Sequence, residues 1–427
     1  MNYLRANTYP YFGLDHLEEK RSIFLPLLIA LGLVGMIFQQ EFMVGSLNLM
    51  WGEPLLLTAI MANLFYSFKN RTLCKTYLDG PIAIYGVSLI CSLFVAGFTE
   101  RSLGIFRKEL IAILLFYVIV WNLWDRQSRK IVAYGIIAAA FVTSIIAMVQ
   151  YMAPKALSQL FAPTGTAGHM MARGIIGFII TGTPSLVMPV FAPFNHFNAL
   201  GAFLAMTLPL MIVLSLKMKR WNIRVMTGIT VFVLYMTFSR GAWAGFLVGL
   251  GLMGWFHFRN TGRKKLAVLF MVIVALIIIT FLIILMFTSY SRTLHFMSAR
   301  LPLWSFVYEE SADQPVFGLG LAGVEKYLGS HAFNSSAHSD YVQIYGDRGI
   351  FGLMAYLQLL GFGLFAGYKS IRDRLKPEWI YLGATTGITA IMVHSFVDHP
   401  LNDLTFKILI FTLLALLTSV HKDPLKN

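Results

Sequence analysis

The chain is built from a succession of apolar runs, each about as long as a bilayer is thick. A helix needs about 20 mostly apolar residues to cross a membrane. About twelve segments meet that requirement: 22–39, 50–68, 81–98, 109–125, 131–152, 197–216, 222–239, 241–257, 266–287, 349–368, 379–396 and 403–420. Hydrophobic residues make up 57% of the chain and charged ones only 13%, against roughly 25% charged in soluble domains. We therefore expect an all-α polytopic membrane protein with about 12 transmembrane helices in a single integral membrane domain, 1–427.

The distribution of basic residues predicts the orientation of these helices. Most of the 34 Lys and Arg residues lie in the two termini and in alternate short loops, which places that side in the cytoplasm. Both termini are then cytoplasmic, and segment 288–348 forms a large extracytoplasmic loop. The exceptions are Arg101, Arg107 and Lys108, which face outward in this arrangement. The net charge of +14 is a topology signal, so no nucleic-acid partner is expected.

One apolar segment and two glycine patterns need separate interpretation. Segment 174–194 is rich in Gly and Pro, and the sequence leaves open whether it spans the membrane, re-enters it or rests on its surface. Gly241, Gly245 and Gly249 recur every four residues, which favours close helix packing in lipid. Gly318, Gly320 and Gly323 match a dinucleotide fingerprint only formally, because no βαβ unit surrounds them.

Two arginines on the outer side are candidates for binding an anion. Arg240 lies at the outer end of an apolar run, and Arg300 lies in the large loop. An arginine is costly near the bilayer interior, and its planar fork suits phosphate oxygens. The alternatives are an interfacial role for Arg240, and for Arg300 an ion pair with an acidic residue of the same loop (Glu309, Glu310 or Asp313).

Three titratable residues near the ends of the last spans are candidates for proton transfer or ligand binding. His338 precedes a span, and an imidazole can act as base, acid or anion ligand. His394 and Asp398 are four residues apart and share a helix face if the helix persists, so they either form a structural pair or line a site. The outer loops show no Asp-x-Asp, His-x-x-x-His or Cys cluster, so we expect no metal and no other cofactor.

Four sequence pieces together resemble the bacterial O-antigen ligase / O-antigen polymerase family, in the family's order over roughly 195–420. They are Ser239-Arg240-Gly241; Arg300 and Trp304 followed by Pro315-x-x-Gly318-x-Gly320; His338-Ser339-Asp340-Tyr341; and His394 with Asp398. Two departures are Ser339, where the family usually has Asn, and Asn195-His196-Phe197-Asn198, in place of an Asn-Pro-Asn-like stretch.

The resemblance implies an inverting, metal-independent glycosyltransferase of GT-C architecture in the bacterial inner membrane. Its donor would be a glycan on undecaprenyl diphosphate, and its acceptor lipid A-core or another glycan. Carried over residue by residue, Arg240 and Arg300 would hold the diphosphate. His338 would bind the diphosphate or accept the proton of the acceptor hydroxyl. The residues that would bind substrate are Trp304, Tyr341, Asn198, His394 and Asp398.

Within this class, the sequence favours a ligase slightly over a repeat-unit polymerase, and protein O-glycosylation remains a third variant. Two further alternatives are a multispan lipid or glycan transporter and a non-catalytic scaffold. A transporter typically carries charges or broken helices at the bilayer midplane, whereas the notable charges here lie at outer span ends and in a loop.

Overall fold

The computed structural model describes residues 23–39, 41–44, 47–70, 75–122, 126–153, 172–174, 185–187, 189–288, 290–330, 336–372 and 379–418. The helices are α1 (Phe24–Gly35), α2 (Glu53–Asn70), α3 (Asp79–Ala96), α4 (Glu100–Asn122), α5 (Arg126–Met152), α6 (Phe197–Met218), α7 (Trp221–Met236), α8 (Arg240–Asn260), α9 (Lys264–Thr288), α10 (Tyr290–Glu310), α11 (Gly323–Ser330), α12 (Asp340–Arg372), α13 (Trp379–His394) and α14 (Leu404–Thr418). A 3-10 turn, Pro400–Asn402, precedes α14.

Within the described residues, the strands form two small antiparallel pairs. β1 (Glu41–Val44) pairs with β2 (Leu47–Met50), so that Glu41 lies opposite Met50. β3 (Ala172–Gly174) pairs with β4 (Ser185–Val187). Most of segment 174–194 lies outside the described residues, so its relation to the membrane stays a prediction.

Each apolar run of the sequence coincides with a helix. Among the described residues, five helices are long and apolar enough to cross a membrane by length and composition: Asp79–Ala96, Gln127–Met152, Phe197–Met218, Arg240–Asn260 and Asp340–Arg372. Shorter apolar helices are Phe24–Gly35, Glu53–Phe65, Trp221–Met236 and Leu404–Thr418. The all-α membrane class is thereby confirmed, while the count of twelve spans and the GT-C architecture stay predictions.

The core of the bundle is α14, whose residues from Leu404 to Thr418 are all buried. It packs against α4, α13 and α12, and α13 packs in turn against α6 and α8. The glycines of α8 make the last contact possible, because a Cβ on Gly245 would lie 2.2 Å from the Ala390 carbonyl oxygen. The predicted packing role of this glycine stripe is confirmed.

The segment between α9 and the next predicted span contains more regular structure than a loop. It includes α10 and α11, and α12 begins at Asp340, nine residues before the apolar run 349–368. The backbone bends at Gly349, where φ is +64° and ψ is −168°. A Cβ at Gly349 would lie 2.3 Å from the Val316 carbonyl oxygen, so glycine serves both the positive φ and the close contact with the turn after α10.

Two of the three basic residues that break the charge pattern, Arg101 and Arg107, are paired. Arg101 makes a two-pronged ion pair with Glu325 of α11. Arg107 lies 3.0 Å from the buried Glu53 carboxylate and donates to the Asn48 carbonyl oxygen. The α3–α4 turn therefore lies on the same side of the protein as α11, as the predicted topology requires.

Candidate active site

Asp398 collects three histidine side chains. His338 Nδ1 lies 3.8 Å from Asp398 Oδ1, His399 Nδ1 lies 3.5 Å from the same oxygen, and His394 Nε2 lies 3.5 Å from Oδ2. The rings of His338 and His399 are perpendicular, with centroids 5.5 Å apart. The Asp398 carboxylate thus lies close to a histidine, His338, that precedes it by 60 positions in the sequence.

The turn that follows α13 places these groups. α13 ends at His394, and the chain reverses before the 3-10 turn that begins at Pro400. The backbone N–H of His399 donates to Asp398 Oδ1 at 3.0 Å. A local hydrogen bond of this kind fixes the carboxylate on the inner side of the turn.

Asp340 fastens the start of α12 to the same turn. Its Oδ2 accepts a hydrogen bond from Ser395 Oγ at 2.5 Å, and its Oδ1 accepts one from the Leu401 N–H at 3.2 Å. Its own N–H donates to the carbonyl oxygens of Ser395 and Asp398. These bonds hold the start of α12 against the turn between His394 and Pro400, which we call the Asp398 turn. His338, two residues before α12, is held there as well.

His338 has an uncommon backbone conformation. Its φ is +51°, in the left-handed region that non-glycine residues seldom occupy. Such strain persists only where the surroundings fix it, and it concentrates at functional sites. The side chain is 30% exposed, so it faces Asp398 on one side and remains open to a ligand on the other.

The side chains of Trp304 and Tyr341, which were predicted to contact sugars, hold the segment around His338 in place. The Trp304 indole N–H donates to the Ala337 carbonyl oxygen at 2.8 Å, and the ring packs against a small apolar cluster that includes Val307 and Leu328. The Tyr341 hydroxyl donates to the Met392 carbonyl oxygen at 2.8 Å. These hydrogen bonds tie α10 and α13 to the residues on either side of His338, and a sugar contact for either ring stays a prediction.

The two arginines approach the cluster from different elements. Arg300 in α10 is 5% exposed and interacts electrostatically with Asp398. Arg240 is half-buried at the first position of α8. A Cβ on its neighbour Gly241 would lie 2.8 Å from His394 Nδ1, so the first turn of α8 lies directly against the histidine cluster.

A tight turn positions Arg240. Phe238 adopts a φ of +53° between α7 and α8. The Trp243 indole N–H donates to the Leu234 carbonyl oxygen at 2.8 Å, and its ring stacks on Tyr235. The start of α8 is therefore held to the end of α7 by its own aromatic residues.

Asn198 lies in the first turn of α6, next to the start of α8. A Cβ on Gly201, one turn further, would lie 2.7 Å from Ser239 Cβ. The Asn198 N–H donates to His196 Nδ1 at 3.1 Å, so the His196 imidazole caps α6. The start of α6 therefore lies beside the turn between α7 and α8 that positions Arg240. Asn198 itself is half-buried.

The cluster shifts the titration of its members. Burial alone would raise the pKa of Asp398, but the neighbouring imidazoles of His338, His394 and His399 outweigh burial and hold the pKa well below its usual range. Burial would lower the pKa of His399, and the Asp398 carboxylate raises it above the ordinary value instead. Burial lowers the pKa of Arg300 to about 10 against the opposing effect of Asp398, so Arg300 keeps its charge at neutral pH.

Two histidines of the site escaped the sequence reasoning. His399 is next to Asp398 in the chain, and His196 interacts electrostatically with Asp398 and with the three clustered histidines. Burial lowers the pKa of His196, with Asp398 opposing. Neither position carries a spacing signal: His196 lies in a stretch that departs from the family pattern, and His399 directly follows the His394 and Asp398 piece.

The site also contains donor types that suit a metal ion. Within the described ranges, His338, Asp398 and His399 offer one ligand atom each, all within 4.8 Å of one another. Two imidazoles and a carboxylate match the ligand chemistry of zinc sites. Sequence reasoning did not expect this group because its members come from distant parts of the chain, and metal independence stays a prediction.

Fold and site together define an integral membrane protein with a polar cluster at one end of its helix bundle. Residues 225–357 match the family model described as O-antigen ligase. The resemblance to the O-antigen ligase and polymerase family is thereby confirmed, and members of that family are glycosyltransferase-type enzymes. No curated protein matches the chain.

The matched range contains three of the four sequence pieces, those around Arg240, Arg300 and His338. The fourth piece, His394 and Asp398, lies beyond the match. The 3.8 Å separation between His338 and Asp398 brings it to the same site.

Proposed function

We propose that the protein is an inner-membrane glycosyltransferase that moves a glycan from undecaprenyl diphosphate to a hydroxyl of lipid A-core or a similar acceptor. The proposal rests on one observation: Arg300, His338 and Asp398 lie together beside the start of α8. Arg300 and His338 are within the residues that match the family model, and Asp398 lies beyond them. Outside the cytoplasm no nucleotide sugar is at hand, so a lipid-diphosphate sugar is the natural activated donor.

The first part of the mechanism is proton removal from the acceptor. Asp398 faces His338 Nδ1, which favours the tautomer with a proton on Nδ1 and leaves Nε2 as the base. Nε2 takes the proton of the acceptor hydroxyl as the hydroxyl oxygen attacks the anomeric carbon. General base catalysis of this kind contributes about 10²–10⁴ in rate.

The second part is departure of the lipid diphosphate. The bond between the anomeric carbon and the phosphate oxygen breaks as the new glycosidic bond forms, which inverts the configuration in one displacement. Negative charge builds on the leaving oxygens, where Arg240 and Arg300 stabilise it. Because Arg300 is held in a buried position, little reorganisation accompanies the reaction, and loss of one such donor costs about 10²–10³ in rate.

The structure also offers an argument against the transporter alternative. The strained backbone at His338 and its pairing with Asp398 resemble a base and the group that orients it, which is a catalytic arrangement. A lipid-linked repeat as acceptor would make the same geometry a polymerase, so acceptor identity is the finer part of the proposal.

The test is transfer by the purified protein from a defined undecaprenyl-diphosphate glycan, with chelator present. Lipid A-core and a second lipid-linked repeat are offered in separate reactions, and the product that forms identifies ligase or polymerase. Arg240→Ala, Arg300→Ala and His338→Ala should each lower the transfer rate by at least about 10²-fold. His257→Ala, exposed at the opposite end of α8, is the matched control.

Three outcomes would contradict parts of this proposal. Normal transfer by all three variants would remove the site assignment. Loss of wild-type transfer on chelation, restored by a divalent metal, would replace the metal-free mechanism with one that uses the His338, Asp398 and His399 group. Movement of the lipid-linked glycan across proteoliposomes without a covalent product would favour a transporter.

A further inference from the structure

A second charged cluster is buried inside the bundle, away from the histidines. Arg348 Nη2 donates to Glu109 Oε1 at 2.7 Å, and the Lys407 ammonium donates to the same oxygen. The Tyr85 hydroxyl donates to Glu109 Oε2 at 3.0 Å. Glu109, Arg348 and Lys407 are each at most 7% exposed. Charges within membrane helices are costly and are by default a functional hypothesis.

A small cavity adjoins this cluster. It has a volume of about 50 Å³ and is lined by Arg348, Tyr356, Asp340, Gln343 and Asn402 among others. A water molecule needs roughly 10–15 Å³ of such volume and two to four polar partners. The cavity therefore has the size and the polarity to hold a few water molecules.

Two donors at the cavity lack a protein partner. Arg348 Nη1 and the Tyr356 hydroxyl are buried, and neither makes a hydrogen bond within the described part of the chain. A buried donor without a partner destabilises the folded protein. Because both groups line the same cavity, one set of water molecules can satisfy both.

The cavity touches the back of the candidate active site through Asp340. Each Asp340 oxygen accepts one protein hydrogen bond, from Ser395 or from Leu401, and a carboxylate oxygen has capacity for a second. Asp340 therefore connects the interior of the bundle to the turn that carries Asp398 and His399.

We propose that the cavity is a site for ordered water that joins Arg348 and Tyr356 to the Asp340 carboxylate, and that Tyr356 thereby acts as a positioning residue for the Asp398 turn. This inference rests on the proposed function. The water completes the hydrogen bonds of three buried groups. It also holds Asp340 where Ser395 and Leu401 require it.

The test uses the full-length protein and the variant Tyr356→Phe, which removes one hydroxyl and keeps the ring. Cryo-electron microscopy at a resolution that resolves water should show density within hydrogen-bonding distance of Arg348 Nη1, the Tyr356 hydroxyl and Asp340. In the variant the density next to residue 356 should disappear. Tyr368→Phe, a half-buried tyrosine further along α12, is the control.

The kinetic readout separates positioning from folding. Tyr356→Phe should lower kcat for glycan transfer at least several-fold with KM for the lipid-linked donor unchanged, because a catalytic group displaced by 1 Å loses up to about 10² in rate. Its melting temperature should match that of Tyr368→Phe.

A dry cavity in the wild-type density, or wild-type kcat in Tyr356→Phe, would overturn the inference. Wild-type protein that transfers no glycan would instead overturn the proposed function, and the density would still decide whether the water is present.

Discussion

Asp398 and Glu109 are both buried carboxylates that collect several cationic or protonatable side chains, yet they differ in what surrounds them. The partners of Asp398 are imidazoles, of which His338 is 30% exposed and His399 is 23% exposed. The partners of Glu109 are Arg348, Lys407 and Tyr85, all buried. Imidazoles exchange protons near neutral pH, whereas a guanidinium does not. This difference supports the proposal that the Asp398 cluster takes part in the reaction, and it predicts that the Glu109 cluster holds helices together.

Of the two buried carboxylates, Asp398 is expected to have the larger effect on activity, which Asp398→Asn tests. The amide cannot hold the Nδ1–H tautomer of His338 as the carboxylate does, so we expect transfer to fall by about 10²–10⁴, the range of general base catalysis. The melting temperature should change less than it does on loss of Glu109, because His338 and His399 are partly exposed to solvent, whereas Arg348 and Lys407 are buried. Initial transfer rates measure the effect, and Asp313→Asn, exposed after α10, is the control. Full activity in Asp398→Asn would mean that Asp398 is merely structural.

The opposite pattern is expected from Glu109→Ala. Removal of the carboxylate leaves Arg348 and Lys407 buried without compensation, which typically costs about 3–5 kcal/mol. Thermal unfolding of the purified protein in detergent should show a large drop in stability. Glu100→Ala, exposed in the first turn of the same helix, provides the comparison. Equal melting temperatures for the two variants would contradict the structural role of the buried cluster.

A smaller effect is expected from Gly241→Ala, which changes the contact between α8 and the active site. The new methyl group would lie 2.5 Å from Val397 Cγ2 and 2.8 Å from His394 Nδ1, so the Asp398 turn must move. We expect transfer to fall up to about 10²-fold, the scale of a 1 Å displacement. Gly228→Ala in α7 meets nothing within 4 Å and should leave transfer unchanged. Equal rates for the two alanine variants would show that the turn is not sensitive to this contact.

The pH dependence of stability should separate the two clusters further. The pKa of folded His399 is raised by Asp398, so the stabilisation from this pair is fully present below about pH 6.5, the ordinary histidine pKa. It is lost as pH rises through the folded pKa. Melting temperatures between mildly acidic and alkaline pH should therefore fall more in the wild type than in His399→Gln. Identical slopes would show that the pair contributes no linked stability.

The smallest effect is expected from the exposed ion pair between Arg101 and Glu325. Arg101 is 65% exposed at its side chain, and solvent screens such pairs to less than about 1 kcal/mol. Arg101→Ala should leave the melting temperature and the transfer rate nearly unchanged. A large loss of transfer would mean that the pocket lined by Arg101 and Glu325, rather than the Asp398 cluster, binds a substrate.

Sequence reasoning located the helices because apolar length is a strong local signal, and each predicted run from 22–39 to 403–420 coincides with a helix. It also selected His338, His394 and Asp398, which the fold brings together. It could not foresee the group around Glu109, because Glu109 and Lys407 lie 298 positions apart and each looks like an ordinary charge near a span end. His196 and His399 were missed for a related reason, since their role depends on three-dimensional neighbours rather than on spacing.

The most direct measurement of the central claim is a structure of the protein with an undecaprenyl-diphosphate-linked glycan bound. We expect the diphosphate oxygens to contact Arg240 and Arg300, with the anomeric carbon facing His338 Nε2 across the space that the acceptor hydroxyl occupies. Diphosphate bound away from these three side chains, in a complex that is competent for transfer, would contradict it.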